Sequence, residues 1–438
     1  MPQRYLVVGV TAVAAMLMYI DRVCFSILAD PVQADLALSE KEKSYVLGAF
    51  FLTYALCQIP MGALADRYGA RGVLALSIAA WSVVTALTGF VGGFVSLIAV
   101  RLLLGVTESG AYPAAAGLVK RWARPDERGR FSAVVSLGGR VGGAVAPWLT
   151  GKLAVGLVGV GLAAWAVDSV SGVNWRATFV VYGAAGLLVA ALFWAFVRDH
   201  PPADPAAAPA RPPEPVADWH ALPGDLPPPP LTFIQRLGVI ATRPNMWLFG
   251  LLQFCNNISW AFLVTLLPTY LKEADVPLDE RKDIQTGVLA AGCVGMIVGG
   301  VVTDMVRRRL GPRWGRSVPI AAMMLSCAAM CAVVSTSPPL WVAIGALGLM
   351  ALCQDLGIPS VWAYAQDVGG RNVGAALGWG NMLGNLGAAL SPVLLTAVRE
   401  AGGWTAAFAL CAACYVVAAI SGLLLDASKP LDPNDAGV

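Results

Sequence analysis

Of the 438 residues in this chain 57% are hydrophobic and 13% are charged, about half the charged fraction that soluble domains carry. This composition excludes a soluble globular fold, because apolar windows of about twenty residues, enough to cross a bilayer, recur from end to end. The net charge of +3 says little, since the placement of the charges matters more than their sum. We expect an all-α, polytopic membrane protein that needs no cofactor and binds no nucleic acid.

Hydrophobic stretches predict twelve membrane-spanning helices, six on each side of a central polar segment. Residues 1–30 lack the cleavage-site pattern of a signal peptide, so the first helix is predicted to be retained. The predicted helices cover residues 5–29, 43–64, 72–94, 97–121, 131–154, 176–197, 245–271, 284–306, 318–336, 340–364, 373–398 and 404–425.

The central segment is rich in proline and alanine and runs HPPADPAAAPARPPEPVADWHALPGDLPPPP. Such a composition buries no core and predicts an extended, disordered linker, with a proline-rich ligand for a partner as the alternative. The predicted organisation is a six-helix bundle over 1–198, a linker over 199–243 and a second bundle over 244–438. His200 and His220 both lie in the linker, which nearly excludes histidine-based metal sites and triads from the membrane core.

The lysines and arginines predict the orientation in the membrane. Basic residues concentrate in three loops, at 67–71, 120–130 and 307–316. The loops on the other side, DPVQADLALSEKEKS and KEADVPLDERKD, carry mixed or acidic charge. The basic loops, both termini and the linker are therefore predicted to be cytoplasmic, in a multi-pass protein of the cell membrane. All nine cysteines fall inside predicted helices, so we expect no disulfide bonds.

The two halves of the chain resemble each other. GALAD (62–66) matches GVVTD (300–304), RVGGAVAP (140–147) matches NLGAALSP (385–392), and NWRATF (174–179) matches GWTAAF (403–408). The number of residues that separates the matching segments is 245 for the second match and 229 for the third. The difference predicts an insertion of about sixteen residues in the first half, around GLVGVGLAAWAVDSVSG. Parallel six-helix repeats joined by a linker are typical of transporters whose site lies near the midplane between the halves.

GALADRYGAR (62–71) resembles the signature between helices two and three of the major facilitator superfamily. YIDR (19–22), RLLLGVTESGAYP (101–113), Trp122 and ERGR (127–130) resemble its anion:cation symporter branch. That branch includes bacterial galactonate and glucarate transporters, sialin and the vesicular glutamate transporters. The resemblance implies that Asp21 and Glu108 couple protons and that Arg22 and Arg101 engage the anion.

The residues themselves support charges inside the membrane. Ending the first helix at Ile20 leaves about sixteen apolar residues, fewer than a span needs, so Asp21 and Arg22 are predicted to lie within it. Neighbours on a helix point about 100° apart, so each needs a partner elsewhere or a water-filled cavity. A pair at the membrane surface is the alternative.

Two further arginines and an acid belong to the same half. Arg101 and Glu108 are seven residues apart, hence on one face of the fourth helix, although Arg101 as a snorkelling residue at the helix end is an alternative. Arg140 lies in the fifth helix and binds substrate or only balances Asp21 or Glu108. Guanidinium groups bind carboxylates bidentately and stay protonated, which suits a small organic anion.

Aromatic and amide side chains in other helices suit the hydroxyl groups of a sugar acid, although many of them would serve equally as interhelical hydrogen bonds. Tyr54 either lines the cavity or packs as an ordinary core residue. Arg140 stands where related symporters more often have an uncharged polar group, and Asp355 is an extra acid that either pairs with Arg140 or is another protonation or cation site. The remaining candidates are Gln253, Asn256, Asn257, Trp260, Trp362, Asn381 and Asn385.

Asp66, Arg67, Arg71 and Asp304 lie in the loops that the repeat relates. The resemblance implies that they form a gate that latches the outward-facing state, with Asp66 near a helix N-terminus across the interface. A purely topogenic role for the arginines is the alternative.

Together these patterns predict a monomeric transporter that imports a small organic anion, a sugar acid or related carboxylate, with protons by alternating access. Anion exchange or facilitated diffusion without proton coupling is an alternative, and so is a membrane nutrient sensor that binds without transport. An enzyme is not expected, because the membrane core has no histidine and no nucleophile motif.

Overall fold

The computed structural model describes residues 3–158, 172–201 and 232–431, and these ranges contain helices and no strand. All nine cysteines lie within the described helices as free thiols. The helices are α1 (Gln3–Asp35), α2 (Glu40–Tyr68), α3 (Ala70–Thr88), α4 (Phe94–Glu108), α5 (Ala111–Trp122), α6 (Arg128–Gly156), α7 (Trp175–Phe196), α8 (Phe233–Thr242), α9 (Pro244–Thr265), α10 (Leu267–Glu273), α11 (Leu278–Ser335), α12 (Leu340–Val368) and α13 (Val373–Leu424), with a 3₁₀ turn at Gly370–Asn372.

These helices make twelve crossings in the described part of the chain. Nine stretches have the length and apolar composition for a membrane span, and α4 with α5 forms one of them. Two stretches contain two crossings each, because α11 breaks at Gly311 (φ 75°) and α13 at Gly403 (φ 71°), where glycine alone adopts the positive φ without strain. The twelfth crossing is α6, which is 29 residues long but carries Arg140 and several glycines. The predicted number of helices is confirmed.

The first helix continues well past Ile20. It spans 33 residues to Asp35 and contains Asp21 and Arg22 near its middle. The prediction that the pair lies inside the helix is confirmed, and the alternative of a helix end at the membrane surface is wrong.

A short helix occupies the end of the predicted linker. Thr232 and Gln235 form a reciprocal capping box that starts α8, and Pro244 opens the next helix. The disorder prediction concerns the proline-rich residues 200–230, so α8 lies after that segment, inside the predicted linker bounds of 199–243. The proline-rich residues 202–231, and most of the predicted insertion at 156–172, lie outside the described residues.

The two halves, α1–α7 and α9–α13, meet most closely on the side that carries Arg67, residues 120–130 and residues 307–316, which we call the basic face. There the backbones of α2 and α13 are in contact. If Gly62 carried a Cβ atom, that atom would lie 2.2 Å from the carbonyl oxygen of Gly374. A Cβ added to Gly378 would lie 2.5 Å from the carbonyl oxygen of Gln58. Glycines at this contact let the helices approach closely, as small residues do in membrane proteins. The structure thus holds the halves together on the basic face.

Candidate substrate-binding and coupling site

A buried ion pair joins the first and fourth crossings. Arg22 of α1 donates a hydrogen bond from Nη2 to Glu108 Oε2 at 3.0 Å, and the two side chains are 14% and 0% exposed. The Arg22 guanidinium also lies 4.3 Å from the ring centroid of Tyr54 and 5.0 Å from those of Tyr19 and Phe50. Aromatic faces attract a cation when water is scarce, so this cage holds Arg22 in place.

Asp21, the neighbour of Arg22, has no such partner. It is 1% exposed, and neither carboxyl oxygen makes a hydrogen bond within the described part of the chain. The indole of Trp81 on α3 is its polar neighbour, but Trp81 Nε1 also lacks a hydrogen-bond partner. A carboxylate buried without a counter-charge is costly, so this position favours the neutral, protonated acid.

Arg101 lies behind an aromatic layer. It is 2% exposed, and its guanidinium lies 4.2 Å from the Phe25 ring centroid and 4.9 Å from that of Phe50. No acid forms an ion pair with it among the described residues, and its Nε has no hydrogen-bond partner. A snorkelling arginine keeps its head group in water, so that alternative is wrong for Arg101. The result is a buried positive charge with no ion-pair partner of its own among the described residues, since Glu108 is already paired with Arg22.

A second ion pair links the two halves. Arg140 of α6 donates from Nη2 to Asp355 Oδ1 of α12 at 2.6 Å, with side chains 19% and 6% exposed. The Trp260 ring centroid lies 5.0 Å from the Arg140 guanidinium. Of the alternatives raised for these residues, the structure shows Arg140 balanced by Asp355, and not by Asp21 or Glu108.

Tyr19 connects the two ion pairs. Its ring packs on α6 beside Arg140, since a Cβ on Gly139 would lie 2.9 Å from the ring and one on Gly143 would lie 3.4 Å from it. The same ring is in contact with the Arg22 guanidinium. Tyr19 therefore lies between Arg22 and Arg140.

Sequence reasoning passed over Tyr19 and Tyr112. Tyr112 packs on α6, since a Cβ added to Gly139 would lie 2.4 Å from its hydroxyl. The Tyr112 ring meets the Trp362 ring edge-on, with the ring centroids 5.0 Å apart. Their spacing in the sequence could have indicated them. Tyr19 precedes Arg22 by three residues and Tyr112 follows Glu108 by four, and residues three or four apart lie on the same face of a helix.

The amides of the C-terminal half divide into two groups. Asn256 is 7% exposed, its Oδ1 has no hydrogen-bond partner, and Trp260 follows one turn later on the same face. By contrast, Asn385 Nδ2 donates to the carbonyl oxygen of Asn381 at 2.7 Å, and Asn257 Nδ2 to that of Gln253 at 2.8 Å, both within one helix. Trp260 thus lies against Arg140, with the unpaired Asn256 one turn before it, whereas Asn385 and Asn257 are held by their own helices.

On the basic face, each half caps a helix of the other. Asp66 accepts the backbone N–H groups of Gly374 at 2.8 Å and Ala375 at 2.9 Å, at the start of α13. Asp304 accepts those of Gly129 at 2.8 Å and Arg130 at 3.0 Å, at the start of α6. A carboxylate at a helix N-terminus satisfies free N–H groups and complements the helix dipole. The two acids occupy equivalent places in the repeat.

Arg67 and Arg71 contact their own half. The exposed Arg67 lies over the ring of Tyr68 at 5.2 Å. Arg71 donates from Nη2 to the carbonyl oxygen of Trp194 at 2.6 Å and from its backbone nitrogen to Asp199 at 3.0 Å. Neither contact joins the two halves.

Other residues, which the sequence did not single out, make the crossing contacts. Asp367 of α12 accepts from Arg128 of the N-terminal half at 2.5 Å and also from Arg316 of its own half at 2.7 Å. Arg236 of α8 donates to Asn372 at 2.8 Å and lies 3.8 Å from Asp66. No local pattern distinguishes Asp367 or Arg236 from an ordinary charge at a helix end, because their partners are distant in sequence.

The two ion pairs between α6 and α12 form a ladder. Arg128 and Arg140 are twelve residues apart in α6, and Asp355 and Asp367 are twelve residues apart in α12. Twelve helical residues rise about 18 Å. One rung therefore lies at the basic face and the other about half a membrane away, beside Tyr19.

Proteins similar to this chain are membrane transporters. The probable sulfoacetate transporter SauU of Cupriavidus necator is 28% identical over 442 residues, covering 99% of this chain and 96% of that protein. The probable galactarate/D-glucarate transporter GudP of Bacillus subtilis is 27% identical over 458 residues, covering 96% and 91%.

A solved structure shares the fold. The crystal structure of the major facilitator transporter FucP in the outward conformation aligns with a TM-score of 0.72 at 15% identity, covering 96% of this chain and 98% of that one. The family model of the Major Facilitator Superfamily matches residues 11–392 and 309–438. The chain is therefore a transporter and not an enzyme; it belongs to the major facilitator superfamily, and its relatives match the anion:cation symporter branch.

Proposed function

We propose that this protein imports a small organic anion, a sugar acid or related carboxylate or sulfonate, together with protons across the cell membrane. The observation that carries the proposal is the unpaired Asp21 beside the Arg22–Glu108 ion pair, three ionisable groups within one buried site. Relatives of the chain named as transporters of sulfoacetate and of galactarate support the substrate class.

The geometry of Arg22 supports a coupling mechanism. An anion that binds Arg22 competes with Glu108 for its guanidinium. Glu108 is 0% exposed, so once its ion pair weakens, the neutral acid becomes the favoured form and a proton is taken up. Substrate and proton then favour each other's binding, which is the reciprocal coupling that symport needs.

The closed basic face supports entry of the substrate from the opposite side. The positive-inside rule assigns this face and both termini to the cytoplasm. With the basic face shut by the Asp66 and Asp304 caps, substrate enters the site from outside. Release into the cell requires both caps to break while the opposite side closes.

Uptake into proteoliposomes tests the proposal. With sugar acids and sulfoacetate supplied outside, an inward proton gradient is expected to drive accumulation by the native protein. Glu108→Gln is expected to lose accumulation but to keep exchange of labelled for unlabelled anion. Glu273→Gln is the matched control, because Glu273 bonds Arg399 and Trp404 within the C-terminal half.

Three outcomes contradict the proposal in different ways. Accumulation by Glu108→Gln equal to that of the native protein makes the coupling role of Glu108 wrong. Exchange without gradient-driven accumulation by the native protein favours an anion exchanger. Binding without any flux favours a nutrient sensor.

A further inference from the structure

The three arginines of the site differ in exposure. The Arg22 and Arg140 side chains are 14% and 19% exposed, whereas Arg101 is 2% exposed behind Phe25 and Phe50. Arg22 and Arg140 are therefore the two that are more accessible to a solute.

Each accessible arginine has donors to spare. Arg22 and Arg140 both use Nη2 for an acid, and the described residues accept no hydrogen bond from the other nitrogens of either group. A guanidinium carries five N–H donors in a planar fork, so an entering anion binds Arg140 beside Asp355, and binds Arg22 beside Glu108 before it weakens that ion pair. Glu108 and Asp355 thus hold the two arginines in position while leaving N–H donors for an anion.

Arg22 and Arg140, which we call the two anchors, flank the aromatic ring of Tyr19. Tyr19 contacts the Arg22 guanidinium on one side and packs on Gly139 and Gly143 beside Arg140 on the other. A solute lying along Tyr19 has a cation at each end.

We propose that the transported substrate is a dianion whose two acidic groups bind Arg22 and Arg140, with Asp355 as the residue that positions Arg140. The proposal rests on the proposed function of proton-coupled anion transport. A monoanion fills one anchor and leaves the donors of the other unmatched in a buried site, which costs binding free energy.

The charge balance agrees with a dianion. With Asp21 neutral and Glu108 carrying the coupled proton, the three arginines face only the carboxylate of Asp355. Two positive charges then remain in a largely buried site, where uncompensated charge is costly. One dianion neutralises them.

Matched pairs of probes test the proposal on the purified full-length protein. Galactarate and galactonate differ only in a carboxylate against a hydroxymethyl group, and so do sulfoacetate and isethionate. Isothermal titration is expected to show at least one dianion binding about tenfold or more tighter than its monoanion. Arg140→Gln is expected to remove that preference and to leave monoanion binding within about threefold.

Two further variants keep the test interpretable. Arg140→Gln leaves Asp355 buried without its partner, so the double variant Arg140→Gln/Asp355→Asn removes both charges and preserves folding. Arg140→Lys keeps the positive charge but loses the planar guanidinium that binds an acidic group through two N–H donors. This variant is expected to retain part of the dianion preference. Arg399→Gln is the matched control, because Arg399 pairs with Glu273 within the C-terminal half.

The proposal is overturned if neither dianion binds more tightly than its monoanion, or if Arg140→Gln weakens both members of a pair equally. Failure of the proposed function looks different. A dianion that binds with the expected preference but moves without protons contradicts the coupling alone. Proton-coupled uptake of a monoanion with exclusion of both dianions contradicts only this inference.

Discussion

The carboxylate of Asp66 accepts the backbone N–H of Gly374 at 2.8 Å, so an acid from one half caps the first turn of a helix in the other. Asp304 does the same for Gly129 at 2.8 Å in the opposite sense. The basic face is therefore closed by two helix caps that must break together when the transporter opens on that side.

Removing one cap is expected to shift the conformational balance. Asp304→Asn keeps the shape but weakens acceptance from Gly129 and Arg130, a loss of about 0.5–2 kcal/mol for a helix cap. The population open on the basic face is expected to rise. Spin labels at the exposed Arg67 and Arg309, one in each half, report this as a longer distance.

Asp35→Asn serves as its control, since Asp35 pairs with Arg176 within the N-terminal half. An unchanged distance distribution in Asp304→Asn, with Asp35→Asn also unchanged, contradicts a latching role for this cap.

Asp21→Asn is expected to leave the fold almost untouched. The carboxyl has no hydrogen-bond partner in the described part of the chain, and an amide mimics its neutral form. Anion binding is expected to stay within about threefold, while gradient-driven accumulation disappears, because an amide cannot release the proton that the neutral Asp21 carries. Calorimetry and proteoliposome uptake measure the two effects. A loss of about 2 kcal/mol or more in unfolding free energy points instead to a charged, paired Asp21.

Arg101→Gln is expected to separate stability from binding. Arg101 lacks an acid partner among the described residues, so its removal relieves a buried charge and raises the unfolding free energy by about 1 kcal/mol or more. Anion affinity is expected to fall about tenfold or more, because a positive charge leaves the site. Thermal unfolding with and without substrate measures both.

Arg22→Gln provides the contrast to Arg101→Gln. It strands Glu108 in a buried position and is expected to cost about 3–5 kcal/mol of stability. If both variants destabilise the protein to the same degree, Arg101 has an ion-pair partner after all.

Gly62→Ala is expected to hold the basic face open. Its Cβ would lie 2.2 Å from the carbonyl oxygen of Gly374, and backbone atoms on both sides leave no flexible group to move. The variant is expected to fold but to lose most uptake, with the Arg67–Arg309 label distance lengthened. Gly48→Ala, in the same helix with nothing within 4 Å, is the control. Native uptake by Gly62→Ala contradicts the need for this close contact.

Much of the architecture follows from the sequence alone. The apolar windows and glycine breaks determine twelve crossings, because a membrane helix must satisfy its backbone hydrogen bonds internally and present apolar side chains to lipid. Length arithmetic also placed Asp21 and Arg22 inside α1, since a shorter helix does not span the bilayer. The repeat aligned Asp66 with Asp304, and the structure puts both at equivalent helix starts.

Tertiary structure alone decided which charges meet. Arg101 is sequestered behind Phe25 and Phe50, Arg140 pairs with an acid 215 positions away, and α8 forms at the end of the predicted linker. Periodicity gives the face of a helix on which a residue lies, but the partner depends on how helices distant in sequence rotate and approach. That arrangement is set by side-chain packing across the bundle, and local sequence does not contain it.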